Sequence, residues 1–447
     1  VTEAPLNVNL ITRNDLCISC GACKHACPAQ TIHIQMNDAK GFYEPVIADE
    51  SPCLTCETRP CLTVCPGYEE NFVDLAGWSD PAQQIGPYEA IYTGHNTDGE
   101  IRKRASSGGI IKELCRYYLE SGQVDGVITL RHIEGLEYAP DVYTEVEDVL
   151  RTPGSIYHNI NFENAIEILK TRPGRYLLIA IPCQLTSIRK WERTCPEQVV
   201  GQIAVTVGLI CGWMFTRHTL RHFARWQGVD YDDLQNATYR GGDKFGALVL
   251  ETSAGGHAFS RRPNFWKDAH TIPYHVAFSR TYNSQRCLLC VEHLNYLADI
   301  AVGDAWLDAF KHEKDGTSII VVRKAEAGKA IEALMAAGRL VLKPATEQDV
   351  IDSQSADLAK GISAQRITNR LKAEGQFAPT YTLPAPVRDL PSESVWQKNY
   401  LEPKHFRAVT WATGGYGLYR WRVLRRWLAT FRNEVLKAVV RRFRRKG

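Results

Sequence analysis

CISCGACKHACP, residues 17–28, and CLTCETRPCLTVCP, residues 53–66, decide how the first part of this chain folds. Each is a run of closely spaced cysteines closing on Cys-Pro. Three thiols from a tight loop, with a fourth from elsewhere, surround an iron–sulfur cubane, and in two-cluster runs the fourth cysteine ligates the other cluster. By that rule Cys17, Cys20, Cys23 and Cys65 form one ligand set, and Cys53, Cys56, Cys61 and Cys27 the other. The second loop departs from the pattern, because four residues, Glu57–Pro60, separate Cys56 from Cys61. Structural zinc would read instead as paired CxxC units far apart.

Between the two runs, short β-like pieces at Thr31–Ile34 and Tyr43–Ile47 flank a turn at Asn37–Gly41. Beyond them lies enough chain for two to four domains in all: 447 residues, 44% apolar. The net charge of +3 is unevenly spread, since residues 417–447 hold eleven Lys/Arg and one Glu. A mildly acidic body thus carries a basic tail. VTEAPLNVNL, the first ten residues, has no basic-then-apolar leader pattern. The longest apolar stretch, VVGQIAVTVGLICGWMF at 199–215, contains three glycines and a glutamine and reads as a buried strand with its flanks. A cytoplasmic location is expected, where clustered cysteines bind metal or do redox work rather than form disulfides.

From about residue 86 to 345 strands and helices alternate. Helical period marks Ile110–Glu120, with Ser106 and Ser107 as its expected caps, and also Ala165–Lys170, Thr219–Trp226 and Ala325–Ala337. Strands are expected at Gly126–Leu130, Tyr176–Ile181, Gln202–Ile210 and Ser318–Val322. Such alternation predicts a layered α/β domain. Residues 377–404, rich in proline and polar residues, read as a linker, and 417–446 as one basic helix.

Four more cysteines stand apart from the repeats. Cys183 follows the strand Tyr176–Ile181 and Cys211 follows Gln202–Ile210; Cys287 and Cys290 form a CxxC. Carboxyl ends of strands in open α/β sheets line the ligand crevice, so these four are candidates for a third cubane. The plain alternative is that Cys183 and Cys211 are small core residues; Cys115, mid-helix on an apolar face, and Cys195, before Pro196, are read as ordinary core or surface residues. Ser106-Ser107-Gly108-Gly109 opens a helix, whose free amides and dipole suit a phosphate or pyrophosphate, although serines before helices are ordinary. Gly154-Ser155-Ile156-Tyr157 is a second small-residue turn; its aromatic suits stacking on a flavin ring, or it is a plain loop.

Together these strings resemble the coenzyme F420 hydrogenase/dehydrogenase beta-subunit family over roughly Tyr92–Leu342. The carrying residues are Arg104–Gly109, Gly154–Tyr157, Ile181–Gln184, Gly208–Cys211, Cys287–Cys290, Ala298–Trp306 and Gly316–Ile320. The fusion to two cysteine runs is similar to the input subunit of F420H2 dehydrogenases. The resemblance implies FAD, a 4Fe–4S cluster beside it on Cys183, Cys211, Cys287 and Cys290, and hydride exchange with deazaflavin F420 or a related ring. It carries Ser107, Gly108, Gly109 and Tyr157 over as FAD contacts. It also admits ferredoxin-dependent reductases of pigments and members of polysaccharide clusters.

The expected fold class is therefore α+β multidomain: a bacterial-ferredoxin-like domain with two 4Fe–4S clusters at 1–80, an α/β FAD and iron–sulfur core at 86–345, a helix and proline-rich linker at 346–416, and a basic helix at 417–447. In that helix Trp421, Leu424, Leu428, Phe431, Val435 and Ala438 fall on one face, widened by Trp427, Leu436, Val439, Val440 and Phe443. Arginines and lysines surround them. Such a helix fits an anionic membrane surface or a groove on a partner protein, and peripheral attachment would suit a quinone-linked acceptor. It has no nucleic-acid reading motif. The expected activity is electron transfer between a hydride substrate and a carrier protein through FAD and clusters. The competing reading is a non-catalytic electron-transfer subunit.

Overall fold

The computed structural model describes residues 6–241, 247–260 and 271–444, with side chains in the final helix described as far as Arg432. Near the N-terminus, β1 (Ile32–Asn37) pairs antiparallel with β2 (Phe42–Ile47), in register from Ile32 opposite Ile47 to Asn37 opposite Phe42. Short helices Ala22–Ala26 and Pro60–Thr63 carry the middle of each cysteine run, and β3 (Glu69–Asn71) follows the second. Gly21 shows why this unit sits tightly on the rest. Its φ is +75°, and a Cβ there would lie 2.2 Å from the Glu163 Cβ. The first cysteine loop therefore rests on the helix Glu163–Thr171 with no space for a side chain.

The core is one eight-stranded mixed sheet. It uses β4 (Ala90–Asn96), β5 (Gly126–Glu134), β6 (Glu137–Tyr143), β7 (Gly174–Ala180) and β8 (Gly201–Leu209). Three strands, β9 (Leu234–Gly241), β10 (Ala247–Thr252) and β11 (Gly255–Ser260), form a separate small antiparallel sheet. The chain then returns to the large sheet with β12 (Ile300–Asp304), β13 (Ser318–Val322) and β14 (Leu340–Pro344). The order is β14-β4-β13-β12-β8-β7-β5-β6. Strands β5, β7, β8 and β12 are parallel, and antiparallel neighbours close both flanks. Parallel strands covered on both faces read as continuous apolar runs, which is why Tyr176–Ile181 and Gln202–Ile210 were legible. Leu177, Leu178 and Val207 are fully buried.

Most expected elements fall within a residue or two of the observed ones: Ile110–Glu120 and Ser318–Val322 coincide. Three expectations need correcting. Ser106 and Ser107 do not cap the helix; Gly109 stands at its N-cap with φ +80°, and no side chain caps it. The stretch 377–404 is more than a linker. It holds β15 (Thr380–Thr382), paired parallel with β3, and the helix Glu393–Trp396, whose Trp396 is buried with Tyr400 against Leu371 and Leu62. The helix Tyr416–Arg444 is not wholly peripheral, because Tyr419 and Val423 are buried with Phe223, Tyr274 and Phe406. Among the described residues, no helix is long and apolar enough to cross a membrane.

Candidate functional site

The topology gathers the twelve cysteines into three neighbourhoods. In the first, burial pushes the Cys17 thiol well above the usual range, and Cys20 and Cys65 push it further. Cys23 is raised by burial and then by Cys20, Cys17 and Cys65, and also by Cys61 of the second run. In the second, burial raises Cys61 to about 11, with Cys27, Cys53 and Cys56 adding to the rise. In the third, burial raises Cys183 well up, followed by Cys211, Cys290 and Cys287. The nearest thiols to Cys17, Cys61 and Cys183 are those of the expected sets, with Cys65 beside the first run and Cys27 beside the second, and Cys61 bringing the first two groups into contact at Cys23.

Four thiols this close, in a mostly buried setting, repel as thiolates. A positive metal core removes that repulsion, and a coordinating thiol is deprotonated outright. Backbone amides point at the sulfurs as well: Ser19 N–H donates to Cys17 Sγ at 3.3 Å, and Met214 N–H to Cys287 Sγ at 3.3 Å. The donor set thus fits iron–sulfur clusters. Among the described residues, no three His, Cys, Asp or Glu side chains converge as closely as one metal ion would need. Cys115 and Cys195 stand outside all three sets and are buried.

The third neighbourhood lies at the carboxyl edge of the sheet. Cys183 is the second residue of the helix Pro182–Thr194 after β7, and Cys211 follows β8. The same edge bounds a cavity lined by Ile179–Ile181 and Gln184 at and beyond the end of β7, Leu209–Met214 at and beyond the end of β8, and Val302–Asp304 of β12. Ser106, Ser107, Gly109, Gly154, Ser155 and Tyr157 also line it. Much of the wall is apolar, as a planar ring requires, and the uncapped start of the helix Ile110–Glu120 leaves amides without intrahelical acceptors. These features fit a dinucleotide flavin.

The glycines of this loop, however, have a reason that involves no cofactor. A Cβ on Gly108 would lie 2.7 Å from the Gly94 carbonyl oxygen and 2.8 Å from Ser318 Oγ. Gly108 N–H donates to that Ser318 Oγ at 2.9 Å, so the loop is pressed onto β4 and β13. Ser106 Oγ accepts from Ser155 N–H at 2.9 Å, which joins the two expected cofactor loops directly. A Cβ on Gly154 would meet the same Ser106 Oγ at 2.7 Å.

Several polar groups here escaped the sequence reading. Arg240, on β9, donates to Tyr157 Oη at 3.0 Å, to Ser106 O at 2.7 Å, and to both Asp304 carboxylate oxygens at 2.9 and 2.6 Å. This clasp ties the small sheet to both loops and to β12. Lys112 lines the cavity and donates to Val149 O and Thr152 O, while burial brings its ammonium down to about 8. His158, also on the wall, is held neutral: burial lowers it to about 4, with Nδ1 against Tyr239 Oη at 2.5 Å. The partners of these residues lie on other elements, so no local pattern announces them.

A dicluster unit packed on a sheet whose carboxyl edge carries more cysteines defines an iron–sulfur electron-transfer protein of oxidoreductase type. Comparison with known families specifies which. Residues 91–167 match the N-terminal part, and residues 174–348 the C-terminal part, of "Coenzyme F420 hydrogenase/dehydrogenase, beta subunit". Residues 16–67 match a "4Fe-4S dicluster domain". The first two together cover more than half the chain, which belongs to the coenzyme F420 hydrogenase/dehydrogenase beta-subunit family. Coenzyme F420 hydrogenase subunit beta of Methanococcus voltae is 26% identical, the match covering 63% of this chain and 92% of that one. The F subunit of the F(420)H(2) dehydrogenase of Methanosarcina mazei is 22% identical, over 68% of this chain and 82% of that protein. A chain in the solved F420-reducing NiFe hydrogenase complex of Methanosarcina barkeri shares the fold, with TM-score 0.50, 22% identity, and coverage of 66% of this chain and 96% of that one.

Proposed function

We propose that this chain is a flavin-dependent iron–sulfur oxidoreductase, passing electrons between a deazaflavin of the F420 type, or a related ring substrate, and a carrier protein. The observation that carries it is the adjacency of Cys211 to both a four-cysteine neighbourhood and the cavity. The ligand sets are Cys53, Cys56, Cys61 and Cys27 on the outside, Cys17, Cys20, Cys23 and Cys65 within, and Cys183, Cys211, Cys287 and Cys290 at the cavity. Cys53 and Cys56 lie in a largely exposed loop, which suits exchange with an outside partner. The division into units at 1–80, 86–345, 346–416 and 417–447 follows the same reading.

FAD, when bound, converts two-electron hydride chemistry into one-electron steps. The chain's own contribution is to hold it. The start of Ile110–Glu120 offers amides to the pyrophosphate, with Ser106, Ser107, Gly108 and Gly109 forming the approach. Gly154, Ser155 and Tyr157 bound the ring side, and Ile179, Ile181 and Leu209 exclude water. The test is anaerobic purification with iron, sulfide and flavin analysis, then stopped-flow mixing with reduced F420, NADH, NADPH and reduced ferredoxin. Flavin reduction by F420 is expected; reduction only by ferredoxin would move the chain to the ferredoxin-dependent reductases, and no bound flavin would overturn the proposal.

One observation favours a further element of this reading. Trp421, Leu424, Trp427, Leu428 and Phe431 are exposed together on the final helix among Arg420, Arg425 and Arg426. An aromatic stripe rimmed by cations suits the inner face of an anionic membrane, at about 1 kcal/mol per basic group, and a quinone-linked complex there would be a natural acceptor. The remaining residues of the expected stripe, from Val435 onward, lie outside the described side chains. A non-catalytic role within a larger complex is the alternative, supported by the names of the relatives, which are themselves subunits.

A further inference from the structure

Between the inner and the core cysteine sets lies one ion pair that the family strings do not include. Arg286 and Glu70 are 1% and 0% exposed, 216 positions apart in sequence, with Nη2 to Oε2 at 2.5 Å. Arg286 immediately precedes Cys287, and its Nε–H donates to the carbonyl of Pro66, the residue after Cys65. The guanidinium lies 5.6 Å from the Tyr381 ring centroid, and Tyr381 sits opposite Glu70 where β3 and β15 pair. Arg286 is therefore pinned, through backbone and side chain, to ligand loops of two different sets.

We propose that Arg286 is a positioning charge shared by two iron–sulfur clusters, raising the reduction potential of both the inner cluster (Cys17, Cys20, Cys23, Cys65) and the core cluster (Cys183, Cys211, Cys287, Cys290), with Glu70 setting how much of that charge they feel. This rests on the three-cluster reading above. The step concerned moves one electron: one cluster is oxidised by one unit, its neighbour is reduced by one, and no bond or proton changes. A reduced cluster carries one more negative charge, so a buried cation stabilises the reduced form of each, in surroundings where charges interact far more strongly than in water. A buried carboxylate opposes it. Stability alone gives a poor account of such a pair, since well-packed apolar residues often serve as well. Two of its polar atoms, Arg286 Nη1 and Glu70 Oε1, have no hydrogen-bond partner among the described residues.

The experiment is an EPR-monitored redox titration of the full chain with clusters loaded. Removing Arg286 alone would leave Glu70 as an uncompensated buried charge, so the comparison uses E70Q, E70Q/R286Q and E70Q/R286K. E70Q should raise both inner and core potentials. E70Q/R286Q should fall below E70Q at both by at least tenfold in the reduction equilibrium, about 59 mV for a one-electron couple. E70Q/R286K, which restores a cation, should return towards E70Q. The outer cluster should hold its potential throughout and serves as internal control. Equal potentials in E70Q and E70Q/R286Q, or the same shift at all three clusters, would overturn the inference. Fewer than three clusters in the wild-type protein would instead sink the reading beneath it.

Discussion

Replacing Gly108 by alanine separates two explanations of the Ser106–Gly109 loop. If the glycine serves only a cofactor, the substitution is harmless in the flavin-free protein. The geometry predicts otherwise. The new Cβ would lie 2.7 Å from Gly94 O and 2.8 Å from Ser318 Oγ, and the first of these is backbone in the sheet. Overpacking of this kind costs about 1–3 kcal/mol. Moving the loop away also breaks the Gly108 N–H···Ser318 Oγ bond, worth about 1 kcal/mol net. A loss of roughly 2–4 kcal/mol is therefore expected before any flavin binds, measured by urea unfolding of the flavin-free form. Gly99→Ala is the control: its Cβ meets nothing within 4 Å, and a change within about 0.5 kcal/mol is expected. Flavin content of Gly108→Ala should fall as a consequence of the displaced loop. Unchanged stability together with lost flavin would refute the argument and return the glycine to the cofactor. Gly109 is a poorer probe, because its φ of +80° strains any side chain with or without a ligand.

Other expectations follow from the same geometry. Cys211→Ala should lower iron from about twelve to about eight per chain, counted as cubanes, and leave the other two clusters' EPR signals; twelve irons, or none, would count against the assignment. His158 and His222 are both lowered to about 4, by burial first. Each folded value lies below the unfolded one of about 6.5, so stability is full above about pH 6.5 and is lost as pH falls towards 4, by roughly 3 kcal/mol per histidine. Replacing either by glutamine should flatten the urea midpoint between about pH 6.5 and 4, and an unchanged slope would show that the imidazole titrates freely. The double variant R240M/D304N should release the small sheet without stranding a charge, seen as faster amide exchange over 234–241; wild-type exchange would mean the clasp is dispensable. For the tail, a chain ending at Arg426 keeps buried Tyr419 and Val423 while removing Trp427, Leu428 and Phe431. It should bind anionic vesicles more weakly than the full chain, and equal binding by both would remove the membrane reading.

How much of this was legible in the sequence depended on whether the signal was local. The cysteine runs declare themselves within a dozen residues, and the exchange of Cys27 and Cys65 follows from a spacing rule. The buried strands β7 and β8 show as apolar runs because both faces are covered. The serine caps misled, because Ser106 accepts from Ser155 N–H across the loop and Ser107 bonds to Thr317 O and Ser318 Oγ at the start of β13, instead of to their own helix. Proline and polar residues in 377–404 hid a strand and a helix that are held by contacts distant in sequence. The pairs Arg240–Asp304 and Arg286–Glu70 join residues 64 and 216 positions apart, and nothing in either neighbourhood marks them. Strands β9–β11 went unread for a related reason: they build their core with a helix before them and another near the C-terminus.

The short parallel pairing of β3 with β15 also has a consequence in time. Glu70 leaves the ribosome early, Arg286 much later, and Tyr381, whose strand lies alongside Glu70, later still. About 300 residues separate the first from the last, roughly 15–60 s of synthesis at about 5–20 residues per second. For most of that interval the first cysteine loops lack Arg286 at the Pro66 carbonyl, and to its end they lack the closing strand. Until Tyr381 arrives β3 has no partner strand, so this corner of the fold closes only after most of the chain has been made.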